Sequence, residues 1–372
     1  MNNLENENVF EITNLLFLDK KLTYDVLSIP SKSEYEYRLV TAIIIWAKKN
    51  GIKYECDDYG NLYLTKGELE EGESYPCVTS HLDTVQCDQT AYVLAGLNLD
   101  IKTEVLNNGT HKLYVDGMGI GADDRNGIVI CMNMFNYHDK LKAALFLEEE
   151  TGMCGSRELN VDWFNDVGYV IGFDSPDLNR AAWCSSGEKL FDSKFYIEHL
   201  KEVTDLWGLN NFRSEPFTDV NQIRQKTNLI CMNFGNGGYD AHSLKEYTIL
   251  EDMDKAGAMG SDIIFKLGLN RYELNRDEVH NEKEDEDNEK LKELGFSGIY
   301  KKYKTKKNTQ NNKDNKLNIA AFKYLADRYE IYIDELKKEV LDNAKKICED
   351  NNIDFKLFES VLEESFDKEI NF

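Results

Sequence analysis

The spacing of hydrophobic positions along the chain predicts alternating helices and strands. Apolar side chains in residues 34–50 recur at helical spacing, and Gly51 follows as a stop signal. Residues 52–65 hold two short strand-like runs around the turn sequence Asp-Asp-Tyr-Gly-Asn, which predicts a β-hairpin. A buried helix is predicted over residues 128–135, and a long amphipathic helix over residues 249–266.

Three further runs, at residues 141–147, 168–173 and 227–234, are largely apolar and predict strands buried on both faces. Such strands occur in parallel or mixed sheets that are covered by helices. A short strand is also predicted over residues 75–79, and residues 91–115 predict an irregular excursion that ends in a strand. The sequence therefore predicts an α/β fold with a mixed, mostly parallel central sheet flanked by helices.

The pattern changes near residue 277. Residues 277–289 contain eight acidic side chains, and a lysine-rich piece and a polar, asparagine-rich piece follow. We expect residues 277–316 to form a charged polar linker, because they carry too little apolar surface to order themselves. Helical spacing returns over residues 317–372, which predicts a small helical C-terminal appendage to a main domain of residues 1–276.

Charge and cysteine usage narrow the class of protein. The chain has 44 basic and 68 acidic side chains, a formal charge of −24 that argues against nucleic-acid binding. No apolar run approaches the ~20 residues of a membrane span, and the acidic N-terminus lacks the features of a signal peptide. Eight scattered cysteines without a CxxC pair indicate reduced thiols. We expect a cytoplasmic protein with neither a nucleic-acid nor a membrane partner.

Potential metal ligands lie where predicted strands and turns give way to loops, the place where open α/β sheets bind ligands. Two imidazoles and three carboxylates share this placement: His81, Asp123, Glu150, Asp174 and His242. Mixed nitrogen and oxygen ligation suits zinc and can accept cobalt or manganese. Five ligands exceed the needs of one catalytic zinc, which keeps an open position, and they suit two ions that share a carboxylate.

Two other carboxylates complete this set. Asp83 lies two residues after His81, too close for both side chains to bind one ion comfortably. We expect Asp83 to accept the proton on the second ring nitrogen of His81, which would fix the tautomer and the ring orientation. Glu149, next to Glu150, is then free to accept a proton from a water held between the ions.

Five short motifs, in this order, resemble the dizinc metallopeptidase family that contains peptidase T (tripeptide aminopeptidase), carboxypeptidase G and the succinyl-diaminopimelate desuccinylases. The second motif has the form found in peptidase T, and the resemblance implies a zinc-peptidase type of fold. The motifs are Ser80-His-Leu-Asp-Thr-Val85, Gly121-Ala-Asp-Asp-Arg-Asn-Gly127, Glu148-Glu-Glu-Thr-Gly-Met-Cys-Gly155, Gly172-Phe-Asp174 and His242-Ser-Leu-Lys-Glu246.

The resemblance implies how the ligands are divided between the two zinc ions. His81 and Asp174 would hold one ion, and Glu150 and His242 would hold the other. Asp123 would bridge the two ions.

The resemblance also implies the catalytic roles. Glu149 would be the general base that activates the metal-bridging water, and Asp83 would orient His81. A cis peptide bond between Asp123 and Asp124 is implied as well.

One interval departs from the resembled family. Only 68 positions separate Asp174 from His242, which is too short for the lid domain that the family inserts there. We therefore expect residues 1–276 to be a catalytic domain without a lid, and the lid-mediated dimer to be missing. The histidine that a lid offers to the reaction intermediate would need a replacement, and spacing favours none of four candidates: His199, Arg180, Arg213 and Arg224.

These inferences favour an aminopeptidase that cleaves short peptides with two zinc ions. An amidohydrolase or deacylase acting on N-acyl amino acids remains open, because the same metal centre serves both reactions. A binding or scaffold protein that kept the fold and lost activity is the third alternative. The complete set of ligands and base argues against this last reading.

Overall fold

The computed structural model describes residues 15–86, 89–215, 217–274 and 283–297. A π-helical turn at Tyr196–Leu200 joins the helices Ser193–Phe195 and Lys201–Trp207, and a short 3-10 helix spans Val161–Phe164. The strands are β1 (Lys53–Cys56), β2 (Leu62–Lys66), β3 (Tyr75–His81), β4 (Lys102–Val105), β5 (His111–Tyr114), β6 (Leu141–Phe146), β7 (Val167–Ser175), β8 (Ala181–Ser185), β9 (Glu188–Lys189), β10 (Phe212–Glu215), β11 (Cys231–Gly235), β12 (Gly238–Tyr239) and β13 (Tyr247–Ile249). The helices are α1 (Lys20–Ser28), α2 (Tyr37–Lys49), α3 (Thr90–Leu94), α4 (Ala122–Met134), α5 (Cys154–Arg157), α6 (Ser193–Phe195), α7 (Lys201–Trp207), α8 (Asp219–Lys226), α9 (Leu250–Leu267) and α10 (Lys283–Glu293).

A nine-stranded sheet forms the centre of the molecule. Its strands follow the order β1-β2-β6-β3-β7-β11-β8-β10, and β9 pairs with β8. The four neighbours β6, β3, β7 and β11 are mutually parallel, whereas β2 and β8 run antiparallel to them at either side. The predicted α/β fold with a mixed, mostly parallel sheet is confirmed.

Helices cover both faces of this sheet, which is why its middle strands are buried throughout. Gly172 and Phe173 are neighbours in β7, so their side-chain positions point to opposite faces. The position of Gly172 is closest to Val220 in α8, whereas the ring of Phe173 lies against Gly260 in α9. Among the described helices, none combines the length and the apolar composition that crossing a membrane would need.

A second, four-stranded sheet has the order β12-β13-β5-β4. It joins two parts of the chain that are far apart in sequence, through the antiparallel pairing of β13 with β5. The strand predicted at the end of residues 91–115 is confirmed by β5, but the irregular excursion before it is wrong for Lys102–Val105, which form β4 and pair with β5 in a hairpin. This hairpin has mostly half-exposed and exposed positions, so it leaves a weak hydrophobic pattern.

The elements between Asp174 and His242 belong to the main domain. Strands β8, β10 and β11 extend the central sheet, and α8 packs on it through Val220. In the described part of this interval, no separate folded unit is formed.

Part of the predicted linker is folded onto the main domain. Within residues 283–297, Leu291 and Phe296 are buried, with exposed fractions of 1% and 4%. Asp287 accepts hydrogen bonds from Lys189 Nζ at 2.6 Å and from the Ser193 main-chain nitrogen at 2.8 Å.

The linker prediction is therefore wrong for residues 283–297. Two apolar anchors and one buried ion pair are enough to order this acidic stretch, although its composition is that of a solvated segment. The rest of residues 277–316 and the predicted appendage at residues 317–372 lie outside the described residues.

Phe296→Ala is expected to destabilise the whole domain. The Phe296 ring stacks on Phe212, with ring centroids 4.2 Å apart, and meets Tyr196 edge-on at 4.8 Å. Removing a buried ring of this kind costs about 3–5 kcal/mol of unfolding free energy, which denaturant titration measures. Leu206→Ala is the control, because Leu206 is 77% exposed and its loss should change stability by less than about 0.5 kcal/mol. Equal stability of the two variants would contradict the packing of this segment.

Candidate metal centre

The predicted ligands meet at the carboxyl edge of the parallel strands. His81 is the last residue of β3, and Asp174 is the last but one of β7. The turn that carries Glu149 and Glu150 follows β6, which is the other parallel neighbour of β3. Because parallel strands end at one edge, these side chains come together although they are distant in sequence.

The carboxylate of Asp123 lies between two imidazoles. Its Oδ1 is 3.1 Å from His81 Nε2, and its Oδ2 is 3.1 Å from His242 Nε2. Each imidazole faces one further carboxylate: His81 Nε2 is 3.5 Å from Asp174 Oδ1, and His242 Nε2 is 2.8 Å from Glu150 Oε1. The five side chains are thus neighbours in one series, which we call the Asp123 series. Its order is Asp174, His81, Asp123, His242 and Glu150.

These side chains lie close enough together to share metal ions. Ligand atoms around a tetrahedral zinc with bonds of ~2.0–2.2 Å lie ~3.3–3.6 Å apart, and the four separations here run from 2.8 to 3.5 Å. His81, Asp123 and Glu150 each offer a ligand atom within 4.8 Å of the others. Glu150 Oε1 is buried and faces His242 Nε2 at 2.8 Å. A buried carboxylate oxygen beside an imidazole nitrogen is well suited to share a cation with it.

Burial and mutual repulsion shape the protonation of this cluster. Burial, together with the neighbouring carboxylates, raises the pKa of Glu149 to about 10. Burial also raises the pKa of Glu150 and of Asp174. Hydrogen bonds with Asp123 and Glu150 raise the pKa of His242 to about 10. The carboxyl groups of the cluster outnumber its imidazoles, and a bound cation would relieve the repulsion between the carboxylates.

Glu246 holds the main chain around Asp123. Its carboxylate accepts hydrogen bonds from the main-chain nitrogens of Gly121 at 2.6 Å and Asp123 at 3.1 Å, and from Gln86 Nε2 at 2.9 Å. The peptide bond between Asp123 and Asp124 is cis, as the resemblance implies. The sequence shows Glu246 only as the end of the last motif, so its support of Asp123 is a finding of the structure.

Asp124 is a competing candidate that the sequence analysis leaves out. Its carboxylate is close enough to His81 and Asp174 to share an ion with them. However, it is fully buried and already accepts hydrogen bonds from Ser80 Oγ at 2.6 Å and Asn236 Nδ2 at 2.8 Å. Asp123 faces both imidazoles, and Asp124 instead fixes the loop beneath them.

Asp83 lies behind His81. His81 Nδ1 is 2.9 Å from the Asp83 main-chain oxygen and 3.3 Å from Asp83 Oδ1, so both oxygens favour a proton on Nδ1. The same carboxylate accepts hydrogen bonds from Ser33 Oγ at 2.7 Å, the Glu149 nitrogen at 2.9 Å and the Glu150 nitrogen at 3.2 Å. Asp83 therefore ties His81 to the turn that carries both glutamates.

Backbone conformation also singles out this region. His242 has φ 62°, Glu148 has φ 53° and Met153 has φ 57°. Non-glycine residues with positive φ are uncommon and concentrate at functional sites. In this protein they turn the chain at His242 and on both sides of the two glutamates.

Known proteins share this architecture. No family model matches the chain. The aminopeptidase PepT from Bacillus cereus ATCC 10987 superimposes with a TM-score of 0.55 and 14% identity, over 68% of this chain and 99% of that one. A tripeptidase from Staphylococcus aureus subsp. aureus Mu50 superimposes with a TM-score of 0.54 and 13% identity, over 67% and 98% of the two chains. The chain has the peptidase T fold. The resemblance noted from the motifs is confirmed at the level of fold.

One curated relative adds a match in sequence. The cytosol non-specific dipeptidase of Escherichia coli (strain K12) is 24% identical over 191 residues, which are 46% of this chain. The match spans only 36% of the dipeptidase's own length. This match adds a partial likeness in sequence to the shared fold.

Of the four side chains considered as replacements for a lid histidine, Arg180 is linked to the centre through hydrogen bonds. It donates a hydrogen bond to Glu215, which in turn accepts one from Ser175, the residue after Asp174. The other three candidates have different partners. Arg224 donates to main-chain oxygens, His199 packs against aromatic rings, and Arg213 donates to an asparagine.

Proposed function

We propose that this chain is a metal-dependent hydrolase of peptide bonds, and that it acts as a peptidase T-like aminopeptidase on short peptides. The observation that carries the proposal is the position of Asp123, whose two carboxylate oxygens face two different imidazoles. A carboxylate in this position suits two ions that share it. The peptidase T fold and the partial likeness to a dipeptidase support the same reaction class.

The donor set indicates which side chains would hold the ions. His81 and Asp174 would bind one ion, Glu150 and His242 the other, and Asp123 both. Two nitrogen and three oxygen ligands favour zinc, and cobalt or manganese could replace it. When bound, the ions would lower the pKa of a shared water and polarise the substrate carbonyl.

Glu149 is the proposed general base. Its main-chain nitrogen is held by Asp83, and among the described residues its carboxyl has no hydrogen-bond or ion-pair partner. It can therefore take a proton from the attacking water and return it to the leaving amine. A pKa of about 10 would leave this carboxyl protonated, but bound cations would favour the carboxylate and would lower that pKa.

A cytoplasmic location belongs to the same proposal. The described residues include six cysteines, and all six are free thiols. Free cysteines, most of them buried, are the rule in reducing compartments. A cytoplasmic peptidase without a lid would meet short peptides directly.

A substrate panel tests the proposed reaction. The full chain, loaded with zinc, cobalt or manganese, is assayed on tripeptides, amino-acid p-nitroanilides and N-acyl amino acids. We expect cleavage of tripeptides with release of the N-terminal residue. Turnover of N-acyl amino acids alone would identify a deacylase instead. Bound metal without turnover of any substrate would support the binding or scaffold protein.

Metal affinity is expected to fall as the pH is lowered. The imidazole of His242, with a pKa of about 10, carries a proton at neutral pH, and that proton must leave before the nitrogen can bind an ion. Because the pKa of His242 is raised, a lower pH makes it harder for a metal ion to replace the proton. The metal affinity should fall by up to about tenfold per pH unit for each proton released. Competition with a chelator at pH 8 and pH 6 measures the slope.

His111→Gln provides the matched control for this measurement. His111 pairs with Glu251, away from the centre, so its loss should leave the slope unchanged. A metal affinity that does not depend on pH would contradict ligation by His242.

A further inference from the structure

Two carboxyl groups from adjoining segments of the chain face the turn Glu148–Glu150. The segments are joined through their main chains, because the Ser33 nitrogen donates a hydrogen bond to the Thr84 oxygen at 3.2 Å. Asp83 directly precedes Thr84, and Glu36 follows Ser33 by three residues. The pairing of the two segments therefore brings Asp83 and Glu36 to the same turn.

Three successive main-chain N–H groups of this turn donate to the two carboxyl groups. The Glu148 nitrogen donates to Glu36 Oε1 at 3.3 Å. The next two nitrogens, of Glu149 and Glu150, donate to the two oxygens of Asp83 at 2.9 and 3.2 Å. Asp83 therefore does not hold the turn alone, because Glu36 holds its first amide.

Glu36 is held in place by the start of α2. Its main-chain oxygen accepts a hydrogen bond from the Val40 nitrogen at 3.0 Å, and α2 packs into the core along one face. Glu36 itself is buried. Burial and the neighbouring Asp83 carboxylate raise the pKa of Glu36 to about 8. Its carboxyl group is therefore mostly protonated at neutral pH, and it holds the Glu148 amide through an acceptor oxygen rather than through a charge.

The first residue of the turn has a backbone conformation that needs such support. Glu148 has φ 53°, in the left-handed region that a non-glycine residue occupies only where its surroundings hold it there. Its side chain is held separately, because Tyr59 Oη donates to Glu148 Oε2 at 2.6 Å. Glu149 is the next residue, so a change in the backbone at Glu148 would redirect the Glu149 side chain.

We propose that Glu36 is a positioning residue for Glu149, and that it acts by holding the Glu148 amide rather than by contact with the metal ions or the substrate. This inference rests on the proposed function, in which Glu149 is the general base, and it names a group that aims this base. A base must lie within hydrogen-bond reach of the proton that it takes, and a displacement of ~1 Å can cost ~100-fold in rate. Glu36 is not part of the Asp123 series, so metal binding should not depend on it.

Two substitutions of Glu36 test the inference. Glu36→Met keeps a side chain of similar size but removes the acceptor, and we expect kcat for tripeptide cleavage to fall by about 10- to 100-fold. KM and the metal content should stay at those of the parent protein, because only the transition state would lose an interaction. Glu36→Gln keeps an acceptor oxygen and should lie within a few-fold of the parent in kcat. Steady-state kinetics and elemental analysis of the metal-loaded full chain measure these quantities.

Glu34→Met is the matched control, because Glu34 is an exposed glutamate that precedes Glu36 by two residues. It should leave kcat unchanged. Equal losses of kcat in Glu36→Met and Glu36→Gln would show that the acceptor oxygen is not what matters. A loss of bound metal in Glu36→Met would place its effect on the ligands. Either result would overturn the inference.

Thermal melting of each variant sets an assay temperature at which the protein is folded, so that a lower kcat does not reflect a lower folded fraction. Should Glu36→Met fail to fold, Glu36→Asp takes its place, because it keeps the carboxyl group but withdraws it by one methylene group. We expect a loss of kcat in the same direction, with KM and metal content unchanged. A Glu36→Asp variant as fast as the parent would overturn the inference.

Hydrogen exchange separates this inference from the proposed reaction, because it needs no turnover. Mass spectrometry should show a protected Glu148 amide in the parent protein, and exchange about 2- to 10-fold faster in Glu36→Met, the effect of one hydrogen bond. Glu36→Gln and Glu34→Met should leave this rate unchanged. The same rate in Glu36→Met as in the parent would overturn the inference, whether or not the protein cleaves peptides. The expected exchange rates without turnover of any peptide would contradict only the proposed function.

Discussion

Glu149→Gln is expected to lower kcat for tripeptide cleavage by about 10²–10⁴-fold, the contribution typical of a general base. The amide keeps the shape of the side chain and the main-chain bond to Asp83, but it cannot accept a proton from water. Because Glu149 is outside the Asp123 series, we expect the metal content to stay at that of the parent protein. Steady-state kinetics and elemental analysis on the same samples measure both quantities.

Glu148→Gln is the matched control for this effect. Glu148 belongs to the same run of three glutamates, but its carboxylate accepts a hydrogen bond from Tyr59 Oη at 2.6 Å. We expect its replacement to change kcat by only a few-fold. A Glu149→Gln variant as fast as the parent would remove the base assignment. Equal losses in both variants would indicate a disturbed turn rather than a lost base.

Asp123→Asn is expected to weaken metal binding more than any other single change at the centre. An asparagine offers only one oxygen, so one of the two imidazoles would face an amide N–H group instead of a shared ligand. We expect the metal content after dialysis to fall from about two ions per chain to one or fewer. The loss of affinity should exceed the ~10- to 100-fold that changes in outer partners cause.

Two neighbouring aspartates provide the controls for Asp123. Asp83→Asn alters the partner of His81 and should weaken metal binding by about 10- to 100-fold. Asp124→Asn should retain both ions, because that side chain is already bonded to Ser80 and Asn236. Retention of two ions by Asp123→Asn, with their loss in Asp124→Asn, would transfer the bridging role to Asp124.

The layout of the central sheet could be predicted because its signal is local. Strands β6 and β7 are largely apolar, and such runs indicate parallel strands buried on both faces. Parallel strands end at one edge, so the position of His81 and Asp174 at strand ends predicts that they lie close together. The structure places them 3.5 Å apart.

Other features could not be predicted because they depend on pairing across the chain. Strand β13 pairs with β5, which lies more than a hundred residues earlier in the chain, and neither strand is apolar enough to indicate its partner. Residues 283–297 resemble a solvated segment in composition, and only their contacts with the main domain show that Leu291 and Phe296 are core residues. The support of Asp123 by Glu246 could not be predicted for the same reason. The main-chain nitrogens that donate to Glu246 lie some 120 residues earlier in the chain.

The most direct test of a shared metal centre is anomalous diffraction at the zinc edge from crystals of the zinc-loaded protein. The account predicts two peaks about 3.5–4 Å apart, with the Asp123 carboxylate between them. One peak should lie beside His81 and Asp174, and the other beside His242 and Glu150. A single peak, or peaks that Asp123 does not contact, would contradict the account.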